Sequence, residues 1–180
     1  MATASVAPTA HPASASKITV TWTALNVTYP DRVATVVLSD SAALISLFTE
    51  ISGSAPAVTD GTNKTPGSKT YEWDGVRVFV WAGWPTRVWF TKPSLGGANV
   101  SAPGNVSVGA TKQAVVAANA DAKLVSSGEG TDLWAVDAHE VPGTKSIQDP
   151  NQTGQAFVTF VVKSDVVTEI LAPGDDYTEL

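Results

Sequence analysis

Tyr71-Glu72-Trp73-Asp74-Gly75-Val76-Arg77-Val78-Phe79-Val80-Trp81-Ala82-Gly83-Trp84-Pro85-Thr86-Arg87-Val88-Trp89-Phe90 holds four of the six tryptophans in a chain of 180 residues. From Val76 onward, side-chain type alternates with the period of two that a half-buried strand requires, and Gly83-Trp84-Pro85 interrupts the alternation as a turn does. A three-residue turn there places Val76, Val78, Val80, Val88 and Phe90 on one face of a hairpin. Arg77, Phe79, Trp81, Arg87 and Trp89 fall on the other. The first set is an ordinary core face. The second gathers three large aromatics and two of the chain's three arginines.

The hairpin has a plainer counterpart downstream. Ala156 to Pro173 aligns without a gap on Val76 to Pro93, with Val78/Val158, Val80/Phe160, Phe90/Ile170 and Pro93/Pro173 in register. Upstream of each hairpin the punctuation also agrees. Asn26-Val27-Thr28-Tyr29-Pro30 is echoed by Asn99-Val100-Ser101-Ala102-Pro103, and Trp73 by Trp134. Ser39 or Asp40 is placed to cap a helix running to about Ser52 and stopping at Gly53, with Leu44, Leu47, Phe48 and Ile51 as its apolar stripe. Thr111 is placed to cap a shorter one carrying Val115, Val116 and Ala118.

These correspondences predict an internal duplication of a ~75-residue strand–turn–strand–helix–strands unit. One such unit covers its sheet with a single helix and is marginal alone, so two are expected to share a core. The fold class expected is α+β: a tandem repeat of helix-on-antiparallel-sheet units, with strands that can lie in one continuous sheet and helices on one face.

Residues 17–95 form the first repeat and 96–180 the second. Within the first, Ile18, Val20 and Trp22 alternate with threonines before the parity shifts at Ala24, which predicts a bulge. Tyr29-Pro30-Asp31-Arg32 reads as a turn before a returning strand, and 53–69 as a long Gly/Ser/Thr/Pro loop.

Residues 1–16 are chiefly Ala, Ser, Thr and Pro, with Met1, Val6 and His11 among them and almost no apolar bulk, and read as a flexible tether. They lack the basic start and apolar centre of a signal peptide. The tether is similar to the spacer that follows the lipidated cysteine of many actinobacterial lipoproteins. That resemblance implies an extracellular or cell-envelope protein, with Met1 standing where a signal sequence or lipid anchor preceded Ala2.

Two further likenesses sit on quoted residues. Val108-Gly109-Ala110-Thr111-Lys112-Gln113-Ala114-Val115 resembles the strand–Gly–capped-helix opening of small lipoproteins of the outer-membrane assembly factor BamE class. It also resembles the β-lactamase inhibitory protein, a tandem repeat of a helix on a sheet. The whole pattern, closing on Gly174-Asp175-Asp176-Tyr177, is similar to uncharacterised actinobacterial lipoproteins. The resemblance implies the tandem architecture. No binding residue of the inhibitor matches position by position, and its disulfides have no counterpart in a chain without cysteine.

Composition narrows the function classes. A formal net charge of −6 with only Arg32, Arg77 and Arg87 as arginines argues against nucleic acid, which needs a basic face. The absence of cysteine removes thiolate catalysis and Cys-type zinc sites. No apolar run approaches the ~18–20 residues of a membrane-spanning helix.

The catalytic inventory is short. His139 is the histidine left to a folded site once His11 is assigned to the tether, and no Gly-x-Ser-x-Gly elbow accompanies it. His139-Glu140 starts like a zinc-protease helix, but Pro142 and Gly143 break the pattern, so Asp137, His139 and Glu140 read as a solvated loop end. Gly128-Glu129-Gly130 lacks the rest of a dinucleotide fingerprint, and Asp175, Asp176 and Glu179 read as a solvated acidic terminus. Asn26, Asn63, Asn99, Asn105 and Asn151 begin Asn-x-Ser/Thr sequons, compositional in a bacterial chain and glycosylation acceptors in a eukaryotic secretory one. No catalytic residue, metal ligand or cofactor site is expected.

The candidate site is therefore Arg77, Phe79, Trp81, Trp84, Arg87 and Trp89. Each large aromatic presents ~150–250 Å², so three together reach the size at which an exposed patch marks a partner. Trp and Arg are also favoured at binding hot spots. Burial of this face by the other repeat, the N-terminal strand or the 53–69 loop is the competing expectation, and Trp84 beside Pro85 is the residue expected to stay exposed. The leading function expected is a non-enzymatic binding module for a protein or envelope component. A carbohydrate-binding module, with tryptophans stacked on sugar rings, is the alternative. A hydrolase built on an unrecognised carboxylate pair is the third reading.

Overall fold

The computed structural model describes residues 14–178. The chain runs through β1 (Lys17–Val20), β2 (Ala24–Thr28), β3 (Val33–Val37), α1 (Ser41–Ser52), β4 (Ala57–Asp60), β5 (Lys69–Trp73), β6 (Val76–Val80), β7 (Arg87–Phe90), β8 (Ser94–Leu95) and β9 (Ala98–Ser101). A 3-10 turn at Pro103–Asn105 leads to α2 (Lys112–Ala118), β10 (Lys123–Gly128), β11 (Thr131–Glu140), β12 (Lys145–Ser146), β13 (Gln155–Lys163), β14 (Val166–Asp175) and β15 (Tyr177–Thr178). Mostly sheet with two helices, the fold is α+β.

The strands form two principal sheets rather than one. The small sheet has the order β3-β2-β1-β9-β8 and the large one β10-β11-β13-β14-β7-β6-β5-β4, with β12 and β15 paired apart. Pairing is antiparallel except between β1 and β9, which run parallel. Ile18, Val20, Leu25, Val27 and Val100 from the small sheet share one core with Val78, Val88, Phe90, Val158, Phe160 and Ile170 from the large one. Strands of residues 17–95 and of 96–180 do lie together in the large sheet, but β1, β2, β3, β8 and β9 form a second sheet, and the apolar faces of the two cover one another.

Helix α1 begins and ends where its sequence directs. The Asp40 side chain accepts from the Ala43 amide at 2.9 Å, and Gly53 takes the left-handed conformation that stops the helix. Leu44, Leu47 and Phe48 are buried, and the Phe48 ring lies 5.6 Å from Trp73 and 5.8 Å from Phe90. Thr111 caps α2 through the Ala114 amide at 3.2 Å, but only Val115 of its expected stripe is buried.

Other expectations are corrected. The parity shift at Ala24 is a chain reversal, not a bulge. Thr21 N–H donates to Ala24 O at 2.9 Å, and the Thr21 hydroxyl closes the same turn at 2.8 Å. The 53–69 loop contains β4, whose four residues are all exposed and so carry no alternation to read. Of the expected tether, residues 1–13 lie outside the described residues. Ser16, however, is tied down: its N–H donates to Thr28 O at 2.8 Å and its carbonyl accepts from Asn99 N–H at 3.0 Å.

The two hairpins also differ in register. Val76 faces Phe90, whereas Phe160 faces Ile170, so the first hairpin spans 14 positions where the second spans 10. Phe90 and Ile170 face each other across β7 and β14. The gapless alignment that sets Val78/Val158, Val80/Phe160 and Phe90/Ile170 together is therefore not kept in register on both strands of the hairpins. The second hairpin closes tightly on Ser164-Asp165, both with positive φ, while the first uses Trp81 to Thr86 as its connection.

Candidate functional site: the outer face of the large sheet

The face of β6 and β7 directed away from the core carries the residues singled out by sequence. Arg77 pairs across the strands with Trp89, and Phe79 with Arg87. The row then extends outward from Arg77 to Glu72 on β5, and from Trp89 through Leu171 on β14 to Thr159 on β13. The turn is longer than expected, a reversal closed by Trp84 N–H donating to Trp81 O at 3.0 Å, with Gly83 at φ +82°. Such a φ is strained for residues with a Cβ, and Gly supplies it freely.

Four aromatic rings form a continuous run. Trp84 stacks on Trp81 at 5.2 Å and 4° between planes, and the edge-on contacts Trp81–Phe79 at 6.5 Å and Phe79–Trp89 at 6.4 Å continue it. Such contacts hold ring orientation beyond what burial alone does. Trp81 is further fixed by its indole N–H, which donates to Pro66 O at 3.0 Å. The 53–69 loop thus touches the site without sealing it. Phe79, Trp81 and Trp89 are half-buried, and Trp84 is 56% exposed.

The two arginines are not equivalent. Arg77 lies 3.6 Å from Glu72, both well exposed, a pair worth little in water. Arg87 is paired with Asp175 of β14, and both side chains are largely withdrawn from solvent. Arg87 therefore holds two halves of the sheet together, while Arg77 is available at the surface.

The site extends onto strands that sequence reasoning left out. Arg87, Leu133, Phe157, Val161, Leu171 and Asp175 are among the residues lining a shallow cavity of about 160 Å³ on the same face. Phe157 and Thr159 point away from the core yet are buried, because Gly174 opposite Phe157 has no side chain and both fill its place. A Cβ at Gly174 would collide with Thr159 Oγ1 and the Phe157 ring. Val167 of β14 is buried in the core, and the register shifts between Val161 and Val162 beside it. The cavity is well below the ~300–1,000 Å³ of sites that enclose a small molecule. It suits a surface that is lain upon.

The remaining polar candidates fall elsewhere. His139 stands on β11 rather than on a loop, stacked on Trp22 at 4.8 Å, with Nε2 2.9 Å from Asp137 Oδ1. Asp137 sits at a register shift with φ +54°, and its N–H donates to Asp121 at 2.7 Å. Glu129 and Gly130 make the β10–β11 turn. Asp175 and Asp176 are not a solvated end. Asp176 accepts from Gln155 N–H at 2.6 Å and from the Ser146 hydroxyl at 2.9 Å, while Glu179 lies outside the described residues. Among the described residues no group of three or more His, Asp or Glu converges as a metal site, and no helix is long and apolar enough to cross a membrane. No family model, no curated protein and no solved structure matches the chain.

Proposed function

We propose that this protein is a non-enzymatic, exported or envelope-tethered binding module that takes a protein or envelope component on the outer face of its large sheet. The observation that carries the reading is the run Trp84–Trp81–Phe79–Trp89, ordered by ring contacts and ending in a tryptophan that is 56% exposed. An aromatic run held in place on an open face loses little entropy when a partner lands on it. Arg77 supplies a charge at its rim. The tandem-repeat reading belongs with it: the order β4-β5-β6-β7 is mirrored by β10-β11-β13-β14, and Phe90 pairs with its own counterpart Ile170 where the halves meet.

The test is co-sedimentation with actinobacterial cell-envelope fractions. Wild-type protein should pellet with them, and a folded Trp81→Ala, Trp84→Ala, Trp89→Ala variant should stay in solution. Trp84→Ala alone, at an exposed turn, is the variant least able to disturb folding. Retention of the folded triple variant by the envelopes would refute the site.

Glycan binding is the second reading, favoured by one feature: Trp84 is stacked parallel on Trp81 through one face and is 56% exposed, which suits its other face to stacking on a sugar ring. Pelleting with purified cell-wall polysaccharide, but not with protein-only fractions, would select it. The hydrolase reading gains no second carboxylate among the residues lining the cavity, where Asp175 is already paired with Arg87.

A further inference from the structure

Among the described residues, the four edges of the two principal sheets that pair with no further strand are not alike. A strand edge carries unpaired N–H and C=O groups and invites another strand, so edges are commonly shortened, charged, bulged or bordered by proline. Edge β8 has two residues. Edge β4 has four, follows Pro56 and ends on Asp60, which lies 3.2 Å from Lys69. Edge β10 begins with Lys123 and is broken by a register shift between Leu124 and Ser126.

Edge β3, Val33-Ala34-Thr35-Val36-Val37, has no such device. It is uncharged, lacks proline and pairs with β2 at all five positions without a shift. Val33 is 65% exposed and Val37 49% exposed.

The ladder determines which groups face outward. Tyr29 N–H donates to Arg32 O, and Leu38 N–H donates to Thr23 O, so even-numbered residues of β3 direct their backbone groups at β2. Val33, Thr35 and Val37 therefore direct theirs at the free edge. Of these, the Val37 carbonyl already accepts from Asp40 N–H at 3.1 Å.

The free edge is self-complementary. Two copies paired antiparallel about Thr35 set Val33 of each opposite Val37 of the other, and Thr35 opposite Thr35, which leaves every outward-facing backbone position opposed to another. On the exposed side the order Val-Thr-Val reads the same in both directions. Arg32 precedes the strand and Asp40 follows it, so this pairing brings a cation of one copy toward an anion of the other at both ends. Arg32 lies 3.4 Å from the exposed Asp31 and over the ring of the buried Tyr29 at 4.1 Å, while the Asp40 side chain also caps α1 through the Ala43 N–H.

We propose that β3 is a self-association edge through which two copies of this chain pair antiparallel, centred on Thr35, joining their small sheets. One five-residue strand per copy makes a small interface, so the dimer is expected to be weak and concentration-dependent. The aromatic face lies on the other sheet, so this inference stands independently of the partner proposed for it.

The test is sedimentation velocity of the full chain from about 1 µM to about 1 mM, the range of weak association. Wild type should shift from monomer to dimer. Val33→Lys with Val37→Lys opposes lysines at both outer pairs and should remain monomeric. Val33→Lys with Val37→Glu opposes unlike charges in the same register and should restore the dimer, in a form that added salt weakens. All these side chains are exposed, and matched near-ultraviolet dichroism establishes that each variant is folded. A wild-type chain that stays monomeric throughout, a dimer that survives the double lysine change, or a Lys/Glu variant that fails to re-form it overturns the proposal.

Discussion

Arg87 at the start of β7 and Asp175 at the end of β14 form an ion pair that joins the two halves of the large sheet, with side-chain exposures of 30% and 16%. Removing one partner leaves the other charge partly desolvated without its counter-ion. Asp175→Ala should lower unfolding free energy by about 1–3 kcal/mol, read as a reduced urea midpoint at unchanged slope. Arg87→Met combined with Asp175→Leu should cost less than the sum of the single changes. Additive losses would show that the pair contributes nothing.

Phe48 is fully buried between the helix and the large sheet, against Trp73 and Phe90. Phe48→Ala should cost about 3–5 kcal/mol, since it removes both the buried ring and the contacts around the cavity it leaves. Thermal unfolding by calorimetry measures the loss. Val37→Ala, at an exposed edge, should change stability by under about 0.5 kcal/mol in the same experiment.

The Asp132 carboxyl is held below its ordinary value of 3.8 by the Ser127 hydroxyl at 2.6 Å and then by Lys112 Nζ at 3.0 Å. A depressed folded-state value means that these contacts stabilise the fold above pH 3.8 and cease to do so as pH falls below it. Lys112 is shifted the other way, raised from 10.5 chiefly by its hydrogen bond to Asp132, so its share is lost as pH climbs beyond that value. Wild type and Asp132→Asn should therefore differ most in denaturation midpoint between these limits and converge in acid. A gap that persists unchanged well below pH 3.8 would contradict this.

Trp84 is 56% exposed, whereas Trp73 is 5% exposed and donates its indole N–H to Ser54 O at 3.1 Å. Acrylamide should quench a distinct accessible fraction of the tryptophan emission. Trp84→Phe should remove most of that fraction, and Trp73→Phe should leave it. The comparison reports on the open end of the aromatic run before any partner is identified.

Much of the local structure was legible in the residues. The split of β6 and β7 into a valine face and a Trp/Arg face follows from alternation, and it survives a turn longer than expected because Phe79 still meets Arg87. The helix ends at Asp40, Gly53 and Thr111 follow from capping chemistry. What escaped was either unpatterned or non-local. Strand β4 is exposed on every residue. The reversal at Thr21–Ala24 is closed by a threonine hydroxyl, with neither Gly nor Pro to announce it. The tie between Arg87 and Asp175 joins residues 88 positions apart, which turned an apparent acidic tail into part of the site.

The sequence by itself determined which side chains of the tryptophan hairpin share a face and where the helices start and stop. Those follow from steric periods and from hydrogen bonds a few residues long. Only the tertiary structure decided that Trp84 stays exposed, that Arg87 is committed to Asp175 while Arg77 keeps only an exposed contact with Glu72, and that Phe157 and Leu171 line the same face. Those outcomes depend on which strand lies beside which, and strand neighbours are chosen by the burial of the whole apolar surface rather than by any local run of residues.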